Sequence, residues 1–177
     1  MKDIEKKGGT TLFTLRHVLE EDLPFLWDML YAAAAIDPGM RSLGKEKALL
    51  LPANRKYLEK WGRAGDTGII ALNQAEQPLG AAWYRCYPAE AASYGFVSPT
   101  IPELTIGVRS DARHQGIGTA LLQAVLAMAR RSGYLAVSLS VARKNPARLL
   151  YERFGFHDAG SSRQEDTSVT MIVELEE

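Results

Sequence analysis

The segment from Glu103 to Val141 constrains this chain more than any other. Glu103 to Val108 reads as a strand, Arg109 to Gln115 as a polar turn, and Gly116 and Gly118 open a helix over Thr119 to Ser132. Leu121, Leu122, Val125, Leu126 and Ala129 form the apolar stripe of that helix, and Arg130 and Arg131 suit its negative end. Gly133 stops it, and Val137 to Val141 reads as the next strand. Strand, helix and strand in this order form a crossover unit, so the chain must build an α/β fold with the helix laid against a sheet. The turn also prepares a seat for phosphate. Its glycines remove side chains from the approach, and the helix start adds unpaired N–H groups at the positive end of a dipole.

Two common phosphate motifs do not fit. No Lys-Ser or Lys-Thr follows Gly118, as the loop of nucleotide triphosphatases requires. Gly116-Ile117-Gly118 lacks the third glycine of a dinucleotide fold and lies late in the chain. Arg113, three residues before Gly116, sets this turn apart by adding a cation beside it.

The rest of the chain surrounds this unit with mixed elements. Met1 to Gly9 reads as a flexible tail, and Leu12 to Leu19 as a first strand. Glu20, Glu21, Asp22 and Pro24 mark the start of a helix carrying Phe25, Leu26, Met29, Leu30 and Ala33, and Asp37-Pro38-Gly39 stops it. Lys45 to Trp61 is a second helical region, broken or restarted at Pro52. Thr67 to Asn73 and Leu79 to Tyr87 read as a hairpin, and Pro88 to Pro102 as a long link of the kind that often carries function. Asn145-Pro146 starts a short helix, Ala147 to Phe154, ended by Gly155, and Thr167 to Leu175 closes the chain as a strand. No linker or compositional shift divides the sequence, so a single domain over 1–177 is expected.

Bulk chemistry removes several classes. Hydrophobic residues make up 46% of the 177 and charged residues 24%, enough for a full core. Lys+Arg and Asp+Glu both number 21, which offers no field to draw nucleic acid or an anionic membrane. Cys86 is the one cysteine, so no internal disulfide or cysteine metal cluster can form, and it reads as a structural thiol. His17, His114 and His157 are scattered, and no metal site is expected. No apolar run follows the basic N-terminus, and the stretch from Met29 to Ile36 is too short for a bilayer, so a cytoplasmic protein is expected.

The region from Glu103 to Phe156 resembles the GCN5-related N-acetyltransferases (GNAT family). Two motifs carry the resemblance. Arg113-His114-Gln115-Gly116-Ile117-Gly118 matches the family's Gln/Arg-x-x-Gly-x-Gly/Ala loop, and Asn145-Pro146-Ala147-Arg148-Leu149-Leu150-Tyr151-Glu152-Arg153-Phe154-Gly155-Phe156 matches its later Asn-plus-Tyr block. The resemblance implies a mixed, largely antiparallel sheet splayed around the cofactor and flanked by helices. It implies acetyl-CoA as donor, coenzyme A as product, and a primary amine as acceptor, with either a monomer or a homodimer.

The same resemblance assigns residues. Arg113, His114, Gln115, Gly116, Ile117, Gly118 and Thr119 would hold the pyrophosphate. Ile106, Gly107 and Val108 on the first strand of the unit would pair with the amide-rich pantetheine arm, much as an added strand pairs. Asn145 would contact that arm, cap the short helix, or do both. Tyr151 would protonate the departing thiolate, against the plainer reading of a packed tyrosine. Glu103 would take the amine's proton, directly or through water, against the plainer reading of a solvated strand-end acid. A ring at His114 would face solvent or help the anion.

The acceptor half varies in this family, and here it falls on Leu23 to Trp61 and Pro88 to Pro102. Trp27, Tyr31, Glu90, Tyr94 and Phe96 are its candidate contacts. Tyr94 and Phe96 would wall a pocket or anchor the link; Glu21 and Asp22 would draw a cation or merely suit a helix dipole. The mixture of acids and aromatics points to a small amine with an apolar part, rather than a long basic polymer, and the balanced charge leans the same way. A protein or peptide N-acetyltransferase is the alternative, as is a CoA-binding regulatory protein without catalysis.

Overall fold

A computed structural model describes residues 12–175. Its centre is a seven-stranded sheet in the order β1-β2-β3-β4-β5-β7-β6. The strands are β1 (Phe13–His17), β2 (Thr67–Asn73), β3 (Pro78–Arg85), β4 (Glu103–Val108), β5 (Ala136–Ala142), β6 (His157–Asp158) and β7 (Ser168–Glu174). Every neighbouring pair is antiparallel except β4 and β5, which run parallel and are joined through helix α5. This is the expected mixed, mostly antiparallel sheet flanked by helices.

The helices are α1 (Leu23–Ala34), α2 (Pro38–Leu43), α3 (Lys45–Leu50), α4 (Pro52–Arg55), α5 (Ile117–Arg131) and α6 (Arg148–Arg153). Two apolar clusters lie on opposite faces of the sheet. The larger joins α5 and α6 to one face through Leu121, Leu122, Val125, Tyr151 and Phe156. The smaller joins α1 and the segment after α4 to the other face through Leu26, Met29, Leu30, Tyr57 and Leu58. Strand β2 serves both: Ile69 and Ala71 enter the first cluster, Ile70 and Leu72 the second. That is the period-two alternation of a strand covered on both sides.

Several boundaries differ from expectation for identifiable reasons. Asp37-Pro38-Gly39 was expected only to stop a helix. It also starts α2: the Asp37 carboxylate accepts from Gly39 N (2.7 Å) and Met40 N (3.2 Å), and Pro38 takes the first turn. The same residues favour both roles. Helix α5 begins at Ile117, before the expected Thr119, because Gly116 takes the left-handed conformation at its cap. Cys86 lies just past β3 and is half-buried. Strand β6 has two residues, too few to show a period. The expected tail, Met1 to Gly9, lies outside the described residues.

Among the described residues no helix is long and apolar enough to cross a membrane, and no group of three or more His, Cys, Asp or Glu could hold a metal ion.

Candidate active site

The parallel pair β4–β5 is paired at one position, Glu103 with Ser138. Beyond it the strands diverge, so the rest of β4 faces an opening. Strand β4 is fully paired with β3 on its other side, from Glu103↔Arg85 to Val108↔Gly80. Arg109 N donates to Leu79 O (2.8 Å), so odd-numbered backbone groups turn toward β3. The alternation leaves Ile106 and Val108 with N–H and C=O turned toward the opening. Gly107 turns its backbone to β3, and α1 crosses close above it: a Cβ there would lie 3.0 Å from Met29 Cβ.

At the wide end of the opening β4 runs into the turn 109–116. His114 (φ 62°) and Gly116 (φ 80°) hold left-handed backbone there and bend the chain back into α5. Arg113 and His114 are exposed, and Gln115 and Thr119 half-buried. Ile117 is buried and anchors the helix start. A Cβ on Gly118 would meet only ordinary contacts at 3.8 Å, with Leu150 and Val108. The turn therefore has an open cradle over a helix N-terminus, which suits a phosphorylated ligand. Next to it, Pro146, Leu149, Leu150, Glu152 and Arg153 line a broad depression of about 640 Å³. Asn145 Oδ1 accepts from Ala147 N (2.9 Å) and so caps the turn leading into α6.

The narrow end is different in character. Glu103 is 2% exposed, so the reading of a solvated strand-end acid does not hold. Its Oε1 accepts from the Tyr57 hydroxyl (2.6 Å) and Gly95 N (3.1 Å), and its Oε2 from the Ser93 hydroxyl. Burial pushes the carboxyl up to about 7, against these hydrogen bonds and the nearby Lys56 charge, which pull it down. A buried acid whose proton affinity lies near neutrality is a candidate for proton transfer.

Arg85 stands opposite Glu103 in the ladder yet is engaged elsewhere. Its guanidinium binds Asp66 (2.5 and 3.0 Å) and the carbonyls of Lys56 (2.8 Å) and Glu59 (2.9 Å), and it lies over the Trp61 ring. Both partners of this ion pair are buried, so the cation is matched without drawing on Glu103.

The link from Pro88 to Pro102 closes the narrow end. Ser138 Oγ donates to Gly95 O (2.7 Å), Ser138 N to Pro102 O (3.0 Å), and Thr170 Oγ1 to Tyr94 O (3.2 Å). A Cβ on Gly95 would stand 2.7 Å from Leu139 C and 2.8 Å from Ser140 N. Only glycine fits there, because the link lies directly on the β5 backbone.

Tyr151 is 7% exposed and packs edge-on against Phe156 within the α5 face cluster. Burial pushes its phenol well above the ordinary value, so it stays protonated. Glu103 shares the α1 face with Tyr57 and Tyr151 lies in the cluster on the other face, so the two candidate catalytic groups stand on opposite faces of the sheet.

The acceptor candidates scatter. Tyr94, 55% exposed, stacks on Tyr57 (centroids 6.5 Å apart) and joins the Glu103 group. Phe96 packs against the α1 face cluster, as does Trp27. Tyr31 is half-buried on α1, and Glu90 is exposed on the link. Sequence reasoning missed Tyr57, Tyr87 and Ser93. Tyr87 packs edge-on against Tyr57, and its buried hydroxyl has no hydrogen-bond partner among the described residues. Ser93 lines a cavity of about 100 Å³ with Ala53, Lys56, Ala92 and Tyr94.

Comparisons with known proteins bear on the family and the fold. A profile of the acetyltransferase (GNAT) domain matches residues 64–158, more than half of the chain. An N-acetyltransferase from Staphylococcus aureus Mu50 superposes with TM-score 0.67 at 18% identity, over 93% of this chain and 99% of that one. A ribosomal-protein-alanine N-acetyltransferase from Brucella melitensis gives TM-score 0.66 at 25% identity, over 91% and 99%. The GNAT domain of S. lividans PAT gives 0.69 at 17%, over 98% and 96%. A comparison with curated proteins gives no match.

Proposed function

Because this chain belongs to the GNAT acetyltransferase family, we propose that it transfers an acetyl group from acetyl-CoA to the primary amine of a small molecule, by direct attack. The observation that carries this reading is Glu103, buried at the narrow end of the β4–β5 opening with a proton affinity near neutrality.

In this reading Arg113 and the N–H groups of Gln115 to Thr119 hold the pyrophosphate, and the inward backbone of Ile106 and Val108 pairs with the pantetheine arm. The thioester supplies an acyl carbon open to attack by a neutral amine. Glu103 takes the proton that the amine sheds as its nitrogen bonds to that carbon. Tyr151 gives a proton, or a hydrogen bond, to the sulfur as the C–S bond breaks. Their placement on opposite faces of the sheet suits these roles, since the amine approaches and the thiolate leaves the same carbon along different directions. Cys86 has no part, because burial pushes its thiol up rather than toward thiolate.

What supports a small acceptor is that Ser93, whose hydroxyl bonds Glu103, lines a cavity of only about 100 Å³. A protein N-terminus is the second reading, favoured by the similarity to the Brucella melitensis enzyme. The deciding experiment incubates the protein with acetyl-CoA and a panel of small amines and peptides, reading thiol release and product mass. Turnover of small amines is expected. Acetylation of peptide N-termini or lysines alone overturns the small-acceptor reading, and no turnover with any amine overturns the enzyme.

A further inference from the structure

The proposed base depends on a residue that comes from outside both family motifs. Tyr57 follows α4 and is 6% exposed. Its backbone is pinned: Trp83 Nε1 donates to Tyr57 O (3.2 Å), and Arg85 holds the carbonyls of Lys56 and Glu59 on either side. Its ring meets Tyr87 edge-on and Tyr94 face-on. Its hydroxyl accepts from Tyr94 N (3.1 Å), which fixes the remaining direction of its own O–H, and that O–H donates to Glu103 Oε1 at 2.6 Å. The side chain is held from several sides and aimed at a single carboxylate oxygen.

We propose that Tyr57 is a positioning residue for Glu103: with Gly95 N–H it fills Oε1, so that Oε2, which accepts only from the Ser93 hydroxyl, keeps the acceptor site that receives the amine's proton. This rests on the reading of Glu103 as base. The charged and titratable groups around the carboxyl are few. Lys56 lies on the Tyr57 segment, Tyr87 follows β3, and the Arg85–Asp66 pair is matched within itself. Both Tyr57 and Tyr87 stay protonated through the working range, because burial pushes their phenols up. Glu103 is therefore the carboxyl that titrates in this cluster near pH 7.

A donor aimed at a carboxylate favours its charged form, so removing the donor raises the proton affinity. Tyr57→Phe keeps the ring and deletes the O–H. The test follows the Glu103 carboxyl by ¹³C NMR through a pH titration, with Glu103→Gln identifying the resonance. In Tyr57→Phe the midpoint should rise by about 1–2 pH units, the size of one hydrogen bond to a charged group. The acid limb of kcat/KM should move with it, costing about 10- to 100-fold at pH 6 and no more than about twofold at pH 9, with KM for acetyl-CoA unchanged. Tyr57→3-fluorotyrosine is a stronger donor and should move both midpoints down, an opposite sign that packing damage does not produce. That arm also decides the matter if Tyr57→Phe fails to fold. A carboxyl midpoint that stays put in the variants overturns the proposal and leaves Glu103 as the base. A midpoint that moves without the rate limb following removes Glu103 from the reaction, and the positioning role with it.

Discussion

The wide and narrow ends of the β4–β5 opening are built from different materials. The wide end is made of backbone: a turn with left-handed His114 and Gly116, the start of α5, and strand groups of Ile106 and Val108 left unpaired. The narrow end is made of side chains: Tyr57, Ser93 and Glu103, with Tyr87 and Tyr94 packed around them. Backbone recognition tolerates almost any residue except where a Cβ would intrude, so a family can keep it while sequence drifts. Side-chain recognition changes with every substitution. The comparison predicts that the donor is fixed by the first end and the acceptor by the second.

Three experiments would break or sharpen that division. The largest effect belongs to the two candidate catalytic groups, Glu103 at the narrow end and Tyr151 on the opposite face of the sheet. Glu103→Gln should lower kcat/KM by about 10²–10⁴ at neutral pH and recover partly as pH rises, while Tyr151→Phe should lower turnover by about 10–10⁴. Cofactor-induced thermal shifts should be unchanged in both. If either variant loses cofactor binding as well, the two ends are not separable.

Next comes the wide end. In Gly118→Glu the new Cβ meets only ordinary contacts and takes a helical position, so the free variant should melt close to wild type. Its carboxylate would confront a pyrophosphate, and repulsion of several kcal/mol should weaken acetyl-CoA by about 10²–10³-fold in calorimetry. Undiminished affinity would place the phosphates elsewhere.

The smallest effect is on stability. Unfolded, Glu103 releases its proton near 4.5; folded, near 7. Between those values the folded state holds the extra proton, so stability falls as pH rises, by roughly 3 kcal/mol from this group across the window. Below the window the contribution is fully present; above it, it is lost. Denaturant unfolding of wild type and Glu103→Gln from pH 4 to 8 should diverge by that amount. Parallel curves would show that the carboxyl ionises as freely in the fold as out of it.

The two ends also differed in how readily the sequence disclosed them. Strands β2 and β4 were legible to the residue, because period and punctuation agree there. The Gly-x-Gly turn and its helix were legible because glycine spacing records backbone shape directly. Glu103 and Tyr151 were named from motif position, but burial, which turns the first into a poised acid, is set by the fold. Tyr57 was out of reach: its hydroxyl meets a residue 46 positions away, and nothing local distinguishes it from any tyrosine near a helix end. Gly95 was one of many glycines until the β5 backbone appeared beneath it. Asp37-Pro38-Gly39 was misread because one signal ends α1 and begins α2.

Considered as a sheet of material, the molecule carries a slit. Strands β4 and β5 part after a single paired position, and a slit in a stiff sheet concentrates load at its tip. Here the tip is pinned from above. The link lies across it, held to β4 through Glu103, to β5 through Ser138 and to β7 through Thr170. A wedge entering from the far end can therefore spread the strands without tearing the seam. The tip keeps its registration to within a hydrogen bond, and Glu103 stands there among the bonds that hold it.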